Sequence, residues 1–114
     1  MSGVEWIVEA FGCDAGRLRS QQALEALFAR AVQELALKPT QPAQWHVFPE
    51  PGGVTALLLL SESHLTIHTF PESRYAALNL YCCRPRPRWD FAARLREAIG
   101  AERVEVRELA RGPG

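Results

Sequence analysis

Glu62, Ser63 and His64 are the residues of this sequence whose types and order point most directly to chemistry. They follow an apolar run. His68 comes five residues after the serine, and Cys83 closes the next segment of the chain. A Glu-Ser peptide bond with a histidine and a cysteine at this spacing can rearrange chemically. The function of the protein therefore depends on whether the bond between residues 62 and 63 breaks.

The chain that follows this bond is predicted to form a β-hairpin, with strands over residues 65–70 and 75–83. Alternate residues of a strand share a face, and both segments alternate between apolar and polar side chains. A loop of four residues would bring Glu62 opposite Cys83, so that Cys83 rather than Cys82 would lie on the polar face beside the bond. A slip of one residue in the register would exchange the two cysteines.

The remaining pattern predicts an α+β fold, a two-layer sandwich of a mainly antiparallel sheet with two helices on one face. A chain of 114 residues predicts a single domain, 1–114. Apolar residues recur at helical spacing over 20–37, where Ser20 is the predicted N-cap, and again over 89–99. Further strands are predicted over residues 4–11, 45–48, 54–60 and 104–109. Apart from Thr55, the run at 54–60 is entirely apolar, as is typical of a strand covered on both faces.

Composition excludes several classes of protein. Lys+Arg and Asp+Glu both number 13, so no net charge favours binding to nucleic acid or to an acidic membrane. We expect no membrane span, because no segment reaches about 20 apolar residues. We expect no export signal, because the N-terminus has no basic region followed by an apolar stretch. Three cysteines without a CxxC pair suit the reducing cytoplasm. We expect no metal site either, because His64 and His68 would stand about 13 Å apart on a strand.

The sequence around the junction also carries a family resemblance. Residues 61–69, with Pro71-Glu72 and Tyr75-Ala76-Ala77 after them, resemble the processing-site signature of the small bacterial and archaeal S-adenosylmethionine decarboxylases. Near the start of the chain, Phe11, Cys13 and Asp14 match the first strand of that family, and residues 104–108 resemble its last. The resemblance covers most of the chain.

The resemblance implies a cofactor that the chain makes from itself. The hydroxyl of Ser63 would attack the carbonyl of Glu62 to give an ester. Elimination and hydrolysis would then cut the chain into a β chain, 1–62, and an α chain, 63–114, and convert Ser63 to an N-terminal pyruvoyl group. That ketone does the work of pyridoxal phosphate in other enzymes, so no Schiff-base lysine is needed, and Lys38 is the only lysine.

The same resemblance assigns the processing and catalytic residues. His68 would act as a base in the elimination, and Thr55 matches a family serine that assists processing. Cys83 would return a proton to the α-carbon of the substrate after carbon dioxide leaves. Each residue also has an ordinary structural alternative, and Cys13 and Cys82 are expected in the core.

The substrate-binding residues implied by the resemblance are Glu72, for the ribose, and the rings of Phe70 and Phe48, which would stack on adenine. Phe70 stands where the family usually has tryptophan, and Phe48 lies one residue before the expected aromatic position. Two further departures are Asn79, in place of a usual aspartate, and the arginine-rich linker 84–88, which we expect to be a solvated loop.

The function implied is decarboxylation of S-adenosylmethionine, which supplies the aminopropyl donor for spermidine synthesis. Because the departures touch the pocket, a pyruvoyl-dependent decarboxylase of ornithine or arginine is an alternative, and a non-catalytic regulatory homologue is a third. A sheet with one helical layer has another face or edge to cover, and members of the family that this chain resembles pair through it and build the pocket from both chains. The resemblance therefore implies a homodimer of αβ protomers.

Overall fold

The structure, a computed structural model, describes residues 2–113 and consists of one six-stranded sheet with a layer of helices. The strands are β1 Gly3–Phe11, β2 Gln44–Val47, β3 Val54–Leu59, β4 His64–Phe70, β5 Tyr75–Cys82 and β6 Arg103–Arg111. The helices are α1 Ala15–Leu18, α2 Gln21–Leu35 and α3 Phe91–Ile99, and a 3-10 turn spans Pro71–Ser73. The strand order is β2-β3-β4-β5-β1-β6, and every neighbouring pair is antiparallel.

Capping side chains set the helix boundaries. The Ser20 hydroxyl accepts a hydrogen bond from the Ala23 amide at 3.1 Å, as predicted for an N-cap. Ala36 adopts the left-handed conformation and ends α2, two residues before the predicted end. Asp90 caps α3, so that helix begins at Phe91 and not at residue 89. The one-turn helix α1 was not predicted, because four residues carry no helical periodicity.

The core lies between the helices and one face of the sheet. Its largest fully buried side chains come from both layers, with Trp6, Ile67 and Leu80 on the strands and Leu24 and Leu95 on the helices. This arrangement confirms the predicted α+β sandwich.

The opposite face of the sheet is not covered within residues 2–113, and this corrects the prediction for β3. Burial alternates along that strand: Val54, Ala56 and Leu58 are buried, whereas Leu57 is 42% exposed and Leu59 is 46% exposed. The prediction of a strand covered on both faces was wrong, because all the helices pack on one side of the sheet.

The predicted register of the β4–β5 hairpin is confirmed. Phe70 pairs with Tyr75, and His64 pairs with Tyr81. Cys82 is therefore in the core, 1% exposed, and Cys83 is half-buried just beyond the end of β5.

The linker between β5 and α3 differs from the expected solvated loop at its central residue. Arg86 is half-buried, and its Nη1 donates to the Leu35 carbonyl at 2.7 Å. This contact satisfies a carbonyl that the end of α2 would otherwise leave unpaired. No helix in residues 2–113 is long and apolar enough to cross a membrane.

Candidate active site

The Glu62-Ser63 bond lies in the tight connection between β3 and β4. The amide of Leu60 donates to the carbonyl of Ser63 at 3.0 Å, which closes a hairpin around residues 61 and 62. Glu62 is exposed, and its carboxylate lies 3.9 Å from Nη2 of Arg84; Ser63 is half-buried. The bond is therefore at the surface, next to the linker that follows Cys83.

Cys83 differs from the other two thiols in its access to solvent. Cys13 and Cys82 are buried, and burial raises the pKa of Cys82 and raises that of Cys13 to about 11. Cys83 is half-buried and comes two residues after Tyr81, the partner of His64. The hairpin register thus brings Cys83 to the same end of the β4–β5 pair as Ser63.

Thr55 and His68 form a second pair of predicted site residues. They are cross-strand neighbours on β3 and β4, and Thr55 Oγ1 lies 3.1 Å from His68 Nδ1. His68 is exposed on the open face of the sheet. A hydroxyl and an imidazole at this distance share one proton, which is the arrangement that general acid–base chemistry needs.

A cleft of about 470 Å³ lies beside this pair, at the end of β4 where the chain enters the 3-10 turn. Phe48 and Phe70, which are 48% and 42% exposed, line it together with Glu72, Thr55 and His68. The structure therefore brings together five of the predicted site residues in a cleft large enough for a small ligand.

Buried hydrogen bonds and a close backbone approach form the base of the cleft. The Thr69 hydroxyl is buried; it donates to the Leu18 carbonyl at 2.7 Å and accepts from the Val54 amide at 2.9 Å. A Cβ on Gly53 would come within 2.5 Å of the Thr69 carbonyl oxygen, so this close approach of β3 and β4 requires glycine.

Sequence reasoning did not single out His46, which lies beside the cleft in contact with Phe48. The ring of His46 packs edge-on against Phe48, with 4.4 Å between centroids and an interplanar angle of 84°. Alternation along β2 was the available signal, because it places residues 46 and 48 on one face.

The two groups of predicted residues lie at opposite ends of β4. Ser63 precedes the first residue of the strand, whereas His68 is five residues further along an extended chain. At about 3.3 Å per residue, their Cα atoms are separated by about 17 Å. A single protomer therefore does not bring His68 to Ser63.

A polar network beside the junction was also missed. His64 Nε2 lies 3.0 Å from Asn79 Oδ1, and Asn79 Nδ2 donates to Glu5 Oε2 at 2.7 Å. Glu5 also pairs with Arg111. The hydrogen bond from Asn79, followed by Arg111, lowers the pKa of Glu5, whereas burial opposes this shift. Within residues 2–113, no group of three or more metal-ligating side chains could hold an ion.

Comparison with known proteins identifies the family. A model described as S-adenosylmethionine decarboxylase matches residues 4–112. S-adenosylmethionine decarboxylase proenzyme 2 of Halalkalibacterium halodurans is 38% identical over 109 residues, 95% of this chain and 84% of that protein. The S-adenosylmethionine decarboxylase proenzyme of Shouchella clausii is also 38% identical over 109 residues, 95% and 83% of the two chains.

The fold agrees with this result. The crystal structure of the adenosylmethionine decarboxylase from Aquifex aeolicus matches with a TM-score of 0.79, over 98% of this chain and 92% of that one. Its sequence identity is 23%, so it supports the likeness of fold alone. Together with the match over residues 4–112, these relatives show that the chain belongs to the S-adenosylmethionine decarboxylase family.

Proposed function

We propose that this chain is a self-processing, pyruvoyl-dependent decarboxylase of S-adenosylmethionine that acts in the cytoplasm and supplies the aminopropyl donor for spermidine synthesis. The observation that carries the proposal is the Glu62-Ser63 junction. The chain belongs to this family, and its Glu62-Ser63 bond lies in a surface hairpin. The bond is at the same end of the β4–β5 pair as the half-buried thiol of Cys83.

Processing begins with the hydroxyl of Ser63. Its oxygen attacks the carbonyl carbon of Glu62, and the amide nitrogen leaves as the free amine of residue 63, so that an ester replaces the peptide bond. Removal of the α-proton of residue 63 expels the Glu62 carboxylate. Hydrolysis then releases ammonia and leaves a ketone at the start of the α chain, 63–114, separate from the β chain, 1–62. The pair of Thr55 and His68 supplies the base.

The residues around the junction fit such a ketone. The pyruvoyl group would condense with the substrate amine and take up the electrons released when carbon dioxide departs. The Leu60 amide already holds the carbonyl oxygen of residue 63 at 3.0 Å, which fixes the backbone that carries the group. Cys83 then delivers a proton to the substrate α-carbon, a role supported by its partial exposure.

The cleft suits the adenosyl and sulfonium parts of the substrate. Phe48 and Phe70 offer exposed rings on which adenine stacks. Glu72 accepts hydrogen bonds from the ribose hydroxyls, and Glu50, which also lines the cleft, adds a second negative charge. Carboxylates and aromatic faces both attract the positive sulfonium.

The active unit is a homodimer of αβ protomers with shared sites. About 17 Å separates Ser63 from His68 along β4, which is too far for a proton transfer within one chain. Pairing through the open face of the sheet would bring His68 and the cleft of one protomer to Ser63 of its partner. Exposed apolar side chains on that face, Leu57 and Leu59, support this contact.

Intact-mass spectrometry and a substrate panel test the proposal. We expect fragments that correspond to residues 1–62 and 63–114, and a single uncut, inactive chain for Ser63→Ala. Carbon dioxide should come from labelled S-adenosylmethionine and not from ornithine or arginine.

The other outcomes separate the alternatives. Carbon dioxide from ornithine or arginine alone would show a decarboxylase of basic amino acids, although neither relative compared above is named for those substrates. A folded chain that stays uncut under conditions that allow maturation would favour the regulatory homologue.

A further inference from the structure

His64, the second residue after the proposed cleavage point, is held from two directions. Its ring stacks on Tyr81, with 5.7 Å between centroids and an interplanar angle of 29°. Its Nε2 lies 3.0 Å from Asn79 Oδ1, and Asn79 Nδ2 in turn donates a hydrogen bond to Glu5 Oε2 at 2.7 Å. His64, Asn79 and Glu5 are all half-buried, so these contacts are partly shielded from water.

Glu5 and Arg111, at the far end of this network, determine which way the Asn79 amide points and therefore which ring nitrogen of His64 donates to it. Glu5 pairs with Arg111, and its lowered pKa keeps it a carboxylate at neutral pH. A carboxylate only accepts hydrogen bonds, so the NH2 group of Asn79 faces Glu5 and the amide oxygen faces His64. An amide oxygen also only accepts, so the His64 nitrogen that faces it, Nε2, carries a proton.

We propose that Asn79 and Glu5 are positioning residues that lock His64 in the Nε2-protonated form and thereby fix the orientation of the group at residue 63. The inference rests on the proposed function, because cleavage turns residue 63 into a chain terminus. Chain termini are poorly ordered unless they are tied down. The terminal ketone would be attached through the amide nitrogen of His64, so a fixed His64 ring holds the reacting group in one orientation.

The same sheet face contains a matched control. Glu9 lies four residues after Glu5 on β1, and it accepts a hydrogen bond from Tyr75 Oη at 2.7 Å. Arg107 lies 3.6 Å from its carboxylate. The Glu9 cluster thus links β5, β1 and β6 as the Glu5 cluster does, but its contacts do not extend to His64.

The test compares Asn79→Ala and Glu5→Gln with Glu9→Gln in the full-length chain. Four quantities are measured: the cleaved fraction by intact mass, kcat and KM for carbon dioxide release, and the ring ¹⁵N shifts of His64. The three histidines are assigned by single substitutions at His46 and His68. Because the ring shifts need neither cleavage nor activity, they report on the network by themselves.

We expect Asn79→Ala to be cleaved normally but to lose at least about tenfold in kcat, with KM changed less than about twofold. The His64 shifts should move from the pure Nε2-protonated pattern to that of a tautomer mixture. Glu5→Gln should change in the same direction, and Glu9→Gln should match the parent. An Asn79→Ala chain with parental shifts and parental kcat would overturn the proposal, as would an equal loss of kcat in Glu9→Gln.

Failure of the proposed function is a separate result. A parent chain that is never cleaved and releases no carbon dioxide would refute the pyruvoyl mechanism. In that case altered His64 shifts in Asn79→Ala would still establish the tautomer lock, and unaltered shifts would refute it.

Discussion

Two inactive variants should restore activity to each other if the site is shared between protomers. Ser63→Ala removes the residue to be processed, and His68→Ala removes the proposed base. Because about 17 Å separates the two positions in one chain, each site should combine Ser63 of one protomer with His68 of its partner. A mixed dimer then contains one site with both defects and one site with neither.

The size of the effect follows from random assembly. When the two variants are co-expressed in equal amounts, about half of the dimers are mixed, and each mixed dimer has one intact site of two. Activity should therefore recover to about a quarter of the parental value per chain. About half of the His68→Ala chains should be cleaved, and none of the Ser63→Ala chains.

Different affinity tags on the two variants allow the mixed dimer to be isolated, and intact mass then identifies which chain is cut. Thr55→Ala with His68→Ala provides the non-complementing control, because these residues are 3.1 Å apart and belong to the same half of a site. Each site of that mixed dimer keeps one defect. Mixed dimers of Ser63→Ala and His68→Ala that show no cleavage and no carbon dioxide release would refute the shared-site reasoning.

Three further predictions concern single residues. Cys83→Ala should still be cleaved but should lose about 10²-fold in decarboxylation, measured by mass and carbon dioxide release; loss of cleavage would contradict this role. Iodoacetamide at pH 8 should modify Cys83 before Cys82, because burial raises the pKa of the Cys82 thiol; peptide mapping would show the order, and equal rates would argue against it. Folding lowers the pKa of Glu5 from 4.5, its value in the unfolded chain. The ionised Glu5 therefore contributes fully to the free energy of unfolding above pH 4.5, and this contribution is lost as the pH falls through the pKa of Glu5 in the folded chain. Glu5→Gln should therefore be less stable than the parent in urea at pH 7 and should approach it as the pH is lowered below 4.5; a constant difference would contradict the linkage.

The hairpin could be predicted from sequence because its information is local. A loop of four residues and the alternation on both strands fix the pairing of Phe70 with Tyr75, and the positions of Cys82 and Cys83 follow from it. Helix ends were less predictable, since Ala36 terminates α2 through its own backbone conformation. The burial of β3 was mispredicted because its consecutive leucines show no alternation, so the sequence does not indicate that Leu57 and Leu59 face away from the helices.

The residues of the candidate site were predicted from the sequence, but their separation into two groups at opposite ends of β4 was not. Ser63 and His68 are close in sequence, but because the strand between them is extended, their Cα atoms are about 17 Å apart. The network around His64 needed the tertiary structure, because Asn79 and Glu5 are 74 positions apart and meet only when β5 pairs with β1. The burial of Arg86 similarly depends on where α2 ends.

The strand order has a consequence for the stability of the processed protein. A cut after residue 62 would assign β1, β2 and β3 to one fragment and β4, β5 and β6 to the other. Because β1 lies between β5 and β6, and β4 lies beside β3, the two fragments interleave within one sheet. Neither piece could leave without breaking hydrogen-bonded ladders on both sides of β1. The cleaved protomer should therefore stay together as a tight complex of its two fragments. Refolding from denaturant would require the fragments to associate, so it would become a second-order, concentration-dependent reaction.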